Sequence, residues 1–293
     1  MNVALTGATG FIGSHVLTEL LSHGHQVTAL VRSEPQADKV AATGATPVVV
    51  DFADHAALTH VLATADGAIH TASPGDASSA DLDAAVVDAA IEAYAGTGKP
   101  YLQISGVWVY GNNPAMTEDS PFAAPALVAW REAIERRALN APGVRGIVLV
   151  SGVAYGDGGG GVPGVLLGSP RDEAGNLIIL GSGQQHWSTV HVADLAEVFR
   201  RALEDDNARG YYIVGNGVRQ TLAELTEAAA VAVGAPGAVP GSEDEARARL
   251  GDYFAEVLLL DQSTVAARAR EELGWNPAHP TLTDEFRTGS YRA

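Results

Sequence analysis

The chain has 293 residues, 46% of them hydrophobic, and a formal net charge of −17 at pH 7. That length suits one large or two unequal lobes around a sizeable core, and that charge argues against a nucleic-acid surface, which needs clustered Lys and Arg. Cysteine is absent, so disulfides and thiolate sites are excluded; the opening MNVALTGATGFIG lacks the features of a signal peptide and no stretch reaches the ~20 apolar residues that span a bilayer, so a cytoplasmic protein with no membrane partner is expected.

NVALT (Asn2 to Thr6) reads as a short strand. A glycine turn follows, then an amphipathic stretch with Phe11, Ile12, Val16, Leu17, Leu20 and Leu21 at helical spacing, ended by Gly24. QVTALV (Gln26 to Val31) is the next strand, with a helix near Ala37 to Ala42. TPVVV (Thr46 to Val50), GAIHT (Gly67 to Thr71), PYLQIS (Pro100 to Ser105) and VRGIVLV (Val144 to Val150) continue the series. Helical patterns lie between them at Ala53 to Ala63, Ser79 to Gly96 and Pro125 to Leu139. Strands apolar on both faces need helices on both sides, so the alternation predicts an α/β, Rossmann-type doubly wound parallel sheet. Beyond Val150 the pattern loosens. AYGDGGGGVPG (Ala154 to Gly164) reads equally as a linker or as a lid. A helix near Val192 to Leu203, a strand at Tyr211 to Gly215, a helix opened by Thr221 and further helical segments complete the chain.

TGATGFIG places Gly7, Gly10 and Gly13 directly after the first strand and at the head of the first helix. Gly7 permits the tight turn, Gly10 lets backbone N–H groups approach a diphosphate, and Gly13 lets the helix pack close to the sheet. In this position the triplet points to a dinucleotide, with Thr9, Phe11 and Ile12 beside it. An acidic residue at the end of the second strand would favour NAD. The chain instead reads LVRS, and Arg32 can pair with a 2′-phosphate, which favours NADP while leaving NAD possible; Arg32 also reads as a solvated surface residue. Asp51 and Phe52, past the third strand, are placed to touch the adenine, and Thr71, Ala72 and Ser73, past the fourth, to line the cofactor.

TGATGFIGSHVLTELLSHGHQV, VYG (Val109 to Gly111), TEDSP (Thr117 to Pro121), WSTVHVADLAEVF (Trp187 to Phe199) and LGWNP (Leu273 to Pro277) together resemble the extended, NAD-dependent epimerase/dehydratase branch of the short-chain dehydrogenase/reductase superfamily. The resemblance covers nearly the whole chain. It implies a nucleotide-binding domain over 1–150, rejoined by a return segment at 187–207, and a smaller substrate lobe made of 151–186 and 208–293. It also implies hydride transfer at nicotinamide, with a Tyr as acid/base, a Lys four residues later and a Ser or Thr at the substrate oxygen. Dimerisation through Ser79 to Gly96 and Pro125 to Leu139 is implied by analogy.

The chain departs from that pattern at each catalytic position. Gly106 stands four residues before Tyr110, where the hydroxyl residue is expected, and Ser105 is offset by one. LVAWR replaces Tyr-x-x-x-Lys, placing Leu127 and Arg131 at the Tyr and Lys positions when Glu135 is aligned with the helical Glu that usually follows. The chain resembles atypical members that lack the pair, some of which bind cofactor without turnover. Candidate catalytic residues are Ser105, at the substrate oxygen or satisfying backbone at the strand end; Arg131, on the ribose hydroxyls; and Tyr110, whose counterpart is mostly structural. Trp108 reads as packing, against the core or a substrate face. Among the histidines, His70 and His191 read as structural and His186 as the one to test as an acid. No spacing suggests a metal site. The expected function is NADP-dependent oxidation or reduction of a small carbonyl or hydroxyl compound without the usual Tyr-Lys pair. A nucleotide-sugar epimerase or dehydratase, and a non-catalytic NADP-binding redox sensor, are the alternatives.

Overall fold

Val3 and Leu5 of strand β1 (Asn2–Thr6) face one side of the molecule and Ala4 the other, and all three are buried. A strand covered on both faces belongs in the middle of a sheet. In the computed structural model, which describes residues 1–292, β1 lies between β2 (Gln26–Val31) and β4 (Gly67–His70), parallel to both. With β3 (Thr46–Val49), β5 (Pro100–Gly106), β6 (Arg145–Ser151) and β7 (Gly210–Val214) they form a seven-stranded sheet, ordered β7-β6-β5-β4-β1-β2-β3. Every neighbouring pair is parallel. This is the expected doubly wound α/β sheet. Its order reverses between β1 and β4, and the carboxyl ends of the strands there open a crevice.

Helices α1 (Phe11–Ser22), α2 (Glu34–Ala41) and α7 (Val192–Glu204) cover one face, burying Val16, Leu17, Leu20 and Val40 with Leu195, Phe199 and Leu203. The other face carries α3 (His55–Ala63), α4 (Ser79–Tyr94) and α5 (Arg131–Asn140), with Leu58, Leu62, Val86, Val87 and Ile134. Each fully buried aliphatic side chain of this kind contributes about 1.5–3 kcal/mol. A separate core gathers Leu166 of α6 (Gly161–Leu167), Leu222 and Leu225 of α8 (Leu222–Ala232), Ala246 of α9 (Glu243–Leu250), Leu258 of α10 (Asp252–Leu258), and Leu282 and Phe286 of α12 (Leu282–Thr288).

Four expectations change. β3 is an edge strand rather than one covered on both faces: Val49 is 45% exposed, and Pro47, which lacks an N–H, is tolerated there. The strand at Gly210–Val214, expected in the smaller lobe, joins the main sheet, and Glu118 of TEDSP caps its free edge by accepting the Ile213 N–H at 2.9 Å. Ala269 and Leu273 of α11 (Ala267–Leu273), with Trp275, pack into the core beneath α1 and α7. Finally, α5 starts at Arg131, not near Pro125. The Leu127 carbonyl accepts the Trp130 indole N–H at 3.2 Å instead of an α-helical backbone N–H, and two i→i−3 turns carry the chain from Pro125 to Arg131.

The return segment is anchored by a buried carboxylate. Asp194, 1% exposed, accepts the Ala278 N–H at 2.9 Å and the His279 Nδ1–H at 2.8 Å, while Trp275 donates to its carbonyl at 3.0 Å. These bonds are what the WSTVHVADLAEVF and LGWNP motifs do for the fold. The glycine-rich stretch after β6 is held on two sides. Asp157 pairs with His15 of α1 at 2.8 Å, and the Tyr291 hydroxyl accepts the Gly156 N–H at 2.8 Å and donates to the Gly159 carbonyl. It forms a wall of the crevice.

Candidate active site

Two glycines of the junction between β1 and α1, Gly7 and Gly13, have no room for a side chain. Gly7 has φ +80°, and a Cβ there would lie 2.6 Å from the Ala72 nitrogen; a Cβ on Gly13 would overlap the Gly7 carbonyl. Gly10 is different, since its added Cβ would meet only the Gly7 oxygen, at 3.3 Å. Helix α1 has no side-chain cap and no acidic residue in its first turn, so its first N–H groups and positive end face the crevice. A cavity of about 340 Å³ lies over this turn, bounded by Gly7, Thr9, Gly10, Phe11, Ile12, Gly13, Arg32, Phe52, Thr71, Ala72 and Ser73. Its shape and donors fit an anionic diphosphate. Arg32 is exposed and has no ion-pair partner among the described residues; Gln36 accepts its backbone N–H at 3.0 Å. The cavity also meets Leu30 and Gln36, which the sequence did not single out. Asp51 lies outside its wall and caps its own turn, accepting the Ala53 N–H at 3.0 Å.

A second cavity, about 280 Å³, shares Phe11 and Ile12 with the first and runs past β5 and β6. Its wall includes Ser105, Gly106, Trp108, Val128, Arg131, Ser151 and the glycine-rich stretch at Gly160 and Gly161. Apart from Arg131 and the two serines, the side chains on it are apolar. Arg131 enters from the first turn of α5, its guanidinium 4.5 Å from the centre of the Trp130 ring. Its Nη1 lies 3.4 Å from Asp83 Oδ2 and 3.4 Å from the Ile104 carbonyl. Asp83, 3% exposed, meets His70 Nε2 at 3.2 Å, and His70 Nδ1 meets Thr6 Oγ1 at 2.6 Å. With Nε2 protonated, His70 donates to Asp83 and accepts from Thr6, a tautomer assigned from the network. A buried chain therefore runs from β1 to the one cation on this wall. His70 serves it from below the sheet edge. Asp83 was legible only as an acidic residue inside the apolar run ADLDAAVVDAA.

Ser105 and Tyr110 sit where their hydroxyls do not open to the crevice. Ser105 is 3% exposed and its Oγ is buried without a hydrogen-bond partner. It faces α5, where Glu135 follows Arg131 by one turn; that carboxyl is fully buried and also unpartnered. Burial pushes the Glu135 pKa up. The nearby Ser105 hydroxyl, the Arg131 charge and the Tyr211 hydroxyl pull it down by less, and neither hydroxyl reaches the carboxyl in good hydrogen-bond geometry. Tyr110 ends the 3₁₀ turn Val107–Tyr110, is 1% exposed, and packs edge-on to Phe122 at 5.0 Å. Burial raises its pKa and it touches neither cavity. The expectation that Tyr110 is at the cleft is therefore not met: the 3₁₀ turn after β5 rotates its ring into the core.

His186 is held by Asp261 at 2.8 Å, outside both cavities. His191 stacks on His279 with centroids 4.4 Å apart and accepts the Ala193 N–H at the head of α7. Among the described residues no group of three or more His, Asp or Glu side chains could hold a metal ion, and no helix is long and apolar enough to cross a membrane.

Residues 3–215 match the family model described as NAD dependent epimerase/dehydratase family. The uncharacterised protein C2A9.02 of Schizosaccharomyces pombe is 30% identical over 299 residues, covering 99% of this chain and all of that protein. The 4-hydroxy-2-methyl-3-oxo-4-farnesyl-3,4-dihydroquinoline-1-oxide ketoreductase of Stigmatella aurantiaca is 27% identical, covering 92% of this chain and 85% of its own. The crystal structure of human epimerase family protein SDR39U1 (isoform2) with NADPH superimposes with a TM-score of 0.75 at 24% identity, covering 99% of both chains. A glycine cradle with no room for a side chain at Gly7 or Gly13, a parallel sheet that reverses order beside it and a matching family model over most of the chain lead to one conclusion: the chain belongs to the NAD dependent epimerase/dehydratase family.

Proposed function

We propose that the chain is an NADPH-dependent oxidoreductase that reduces a carbonyl compound or oxidises the corresponding alcohol. The observation that supports this most directly is the pair of adjoining cavities, one over the anion-binding turn with Arg32 on its wall, the other walled by Arg131 and Ser105. In this reading Gly7, Gly10 and the head of α1 hold the diphosphate, Arg32 takes the 2′-phosphate, and Arg131 holds the nicotinamide ribose. The reduced cofactor, when bound, supplies the hydride. The apolar walls of the second cavity exclude water. Ser105 turns from its sealed position to donate its proton to the substrate oxygen, and Glu135, whose pKa burial raises, returns a proton to Ser105. Arg131 cannot do this work, because a guanidinium stays protonated at neutral pH. Two relatives support the reading: human SDR39U1 was solved with NADPH, and the Stigmatella protein is named a ketoreductase.

The test is NADPH consumption across a panel of ketones and aldehydes, with Ser105→Ala beside the wild type. Turnover that Ser105→Ala removes supports the assignment. Tight NADPH binding with no consumption on any carbonyl sinks it and leaves the cofactor-binding sensor, a reading favoured by the sealed Ser105 hydroxyl and by a Ser151 hydroxyl already donating to the Gly152 carbonyl at 2.7 Å. The cofactor preference has its own check. Arg32→Ala should weaken NADPH binding about tenfold or more, the loss of a charge-assisted pair, and leave NADH binding nearly unchanged; equal losses for both would show that Arg32 does not meet the 2′-phosphate.

A further inference from the structure

A third cavity, about 790 Å³, shares Trp108, Val128 and Arg131 with the second and Ser73 with the first. Four of its wall residues are aromatic: Trp108, Trp130, Tyr253 and Phe254. Two of the chain's exposed large apolar side chains, Tyr253 (64%) and Leu127 (38%), also lie on this wall. They come from different parts of the chain, Tyr253 from α10 and Leu127 from the turns before α5. Trp108 and Phe254 meet edge to face at 6.2 Å across the same junction. Large apolar groups left open on a cavity that adjoins a reaction site mark what that cavity receives.

The charges on the wall point the same way. Arg131 is the sole cation on it, and that guanidinium is already engaged by buried Asp83 and the Ile104 carbonyl. Asp76 is the sole carboxylate, and its Ser78 partners hold it below the usual carboxylate range, so it is charged at neutral pH. A sugar nucleotide would bring its diphosphate toward a negative charge, and the one guanidinium there has its charge offset by Asp83 and is given, in the oxidoreductase reading, to the ribose. A neutral ring meets no such cost.

We propose that the substrate is a neutral aromatic carbonyl compound, its ring held among Trp108, Trp130, Tyr253 and Phe254 and its carbonyl directed past Arg131 into the second cavity. This rests on the oxidoreductase reading. Reduction joins one hydride and one proton to the carbonyl, giving the alcohol and oxidised cofactor. The leucine at the usual tyrosine position then has a role. Leu127 contributes apolar surface at the mouth of the ring site, where a phenol would place a polar group.

The experiment uses the whole chain loaded with NADP⁺ or NADPH. Methyl naphthyl ketone and its alcohol are the aromatic probes, UDP-glucose the sugar-nucleotide probe; calorimetry reads binding and NADPH absorbance reads turnover. The naphthyl probes should bind and UDP-glucose should not compete with them. Tyr253→Ser should weaken naphthyl binding about tenfold, the scale of a lost aromatic anchor, with NADPH affinity unchanged. Because Tyr253 is exposed, this variant does not challenge the fold; Trp108→Ala should weaken binding further. Tighter binding of UDP-glucose, or naphthyl affinity within about twofold of wild type in Tyr253→Ser, overturns the proposal. The two readings fail separately. Naphthyl binding without turnover of any carbonyl keeps the ring site and rejects the oxidoreductase; turnover confined to polar carbonyls does the reverse.

Discussion

Gly13→Ala should destabilise the protein by about 1–3 kcal/mol. Helix propensity alone favours the change, since Ala is better than Gly inside a helix by about 1 kcal/mol. The added methyl, however, would overlap the Gly7 carbonyl and press on Thr71 Oγ1 at 2.6 Å. Neither can yield easily. Gly7 is itself fixed at φ +80° against Ala72, and the Thr71 hydroxyl donates to the Thr6 carbonyl at 2.8 Å. Overpacking against a fixed backbone typically costs 1–3 kcal/mol or more, so the clash wins over propensity. Gly10→Ala is the matched control. Gly10 has φ −86°, which Ala adopts freely, and its Cβ would meet only one atom, at 3.3 Å. That variant should melt close to wild type and yet bind NADPH poorly, because its methyl stands in the phosphate space. Thermal melts and cofactor titration of both variants check the pair. If Gly10→Ala binds NADPH as wild type does, the diphosphate does not rest on this turn.

Glu135→Gln should change how stability depends on pH, and turnover with it. In the folded chain burial raises the Glu135 pKa above its ordinary value near 4.5. Between the unfolded and folded pKa the native state therefore binds more protons than the unfolded one. Stability contributed by the neutral carboxyl is fully present below the unfolded pKa and is lost as pH rises through the folded pKa. Within that window the loss is about 1.4 kcal/mol per pH unit. Gln cannot titrate. Melting curves of the two proteins should run together at pH 4 and diverge above about pH 5, with the variant the more stable. Curves that stay parallel to neutral pH would show that Glu135 carries no raised pKa. The same variant should turn over a carbonyl substrate as poorly as Ser105→Ala does, if Glu135 recharges Ser105; a stable, fully active Glu135→Gln removes it from the proton path.

The sheet, its order of helices and the phosphate turn were legible because each rests on local signals: apolar runs of strand length, helical spacing between them, and three glycines at one strand–helix junction. Where the reading slipped, a side-chain hydrogen bond or a distant strand pairing decided, neither of which an apolar pattern records. The stretch after Pro125 has helical periodicity, yet the Trp130 indole takes the Leu127 carbonyl and delays α5 to Arg131. YYIVG looks like a strand in either lobe; pairing with β6 places it in the main sheet. Asp51 sits one residue before Phe52, but only Phe52 reaches the cavity, since the Asp51 carboxylate turns back on its own backbone.

The sequence by itself determined the fold class, the cradle for an anionic cofactor and the absence of the Tyr-Lys pair, because those are statements about residue type at fixed spacing. The tertiary structure alone decided which groups face one another around the positions the pair would occupy. Which way a hydroxyl on a strand points depends on the helix packed against it, so Ser105 faces Glu135 only once α5 has docked on the sheet. Tyr110 leaves the crevice because the 3₁₀ turn rotates it onto Phe122. Arg131 is aimed by Asp83 and His70, two residues 48 and 61 positions away in the chain (131 − 83 and 131 − 70). The aromatic chamber is assembled from residues as far apart as Trp108 and Phe254, a neighbourhood that no local pattern encodes.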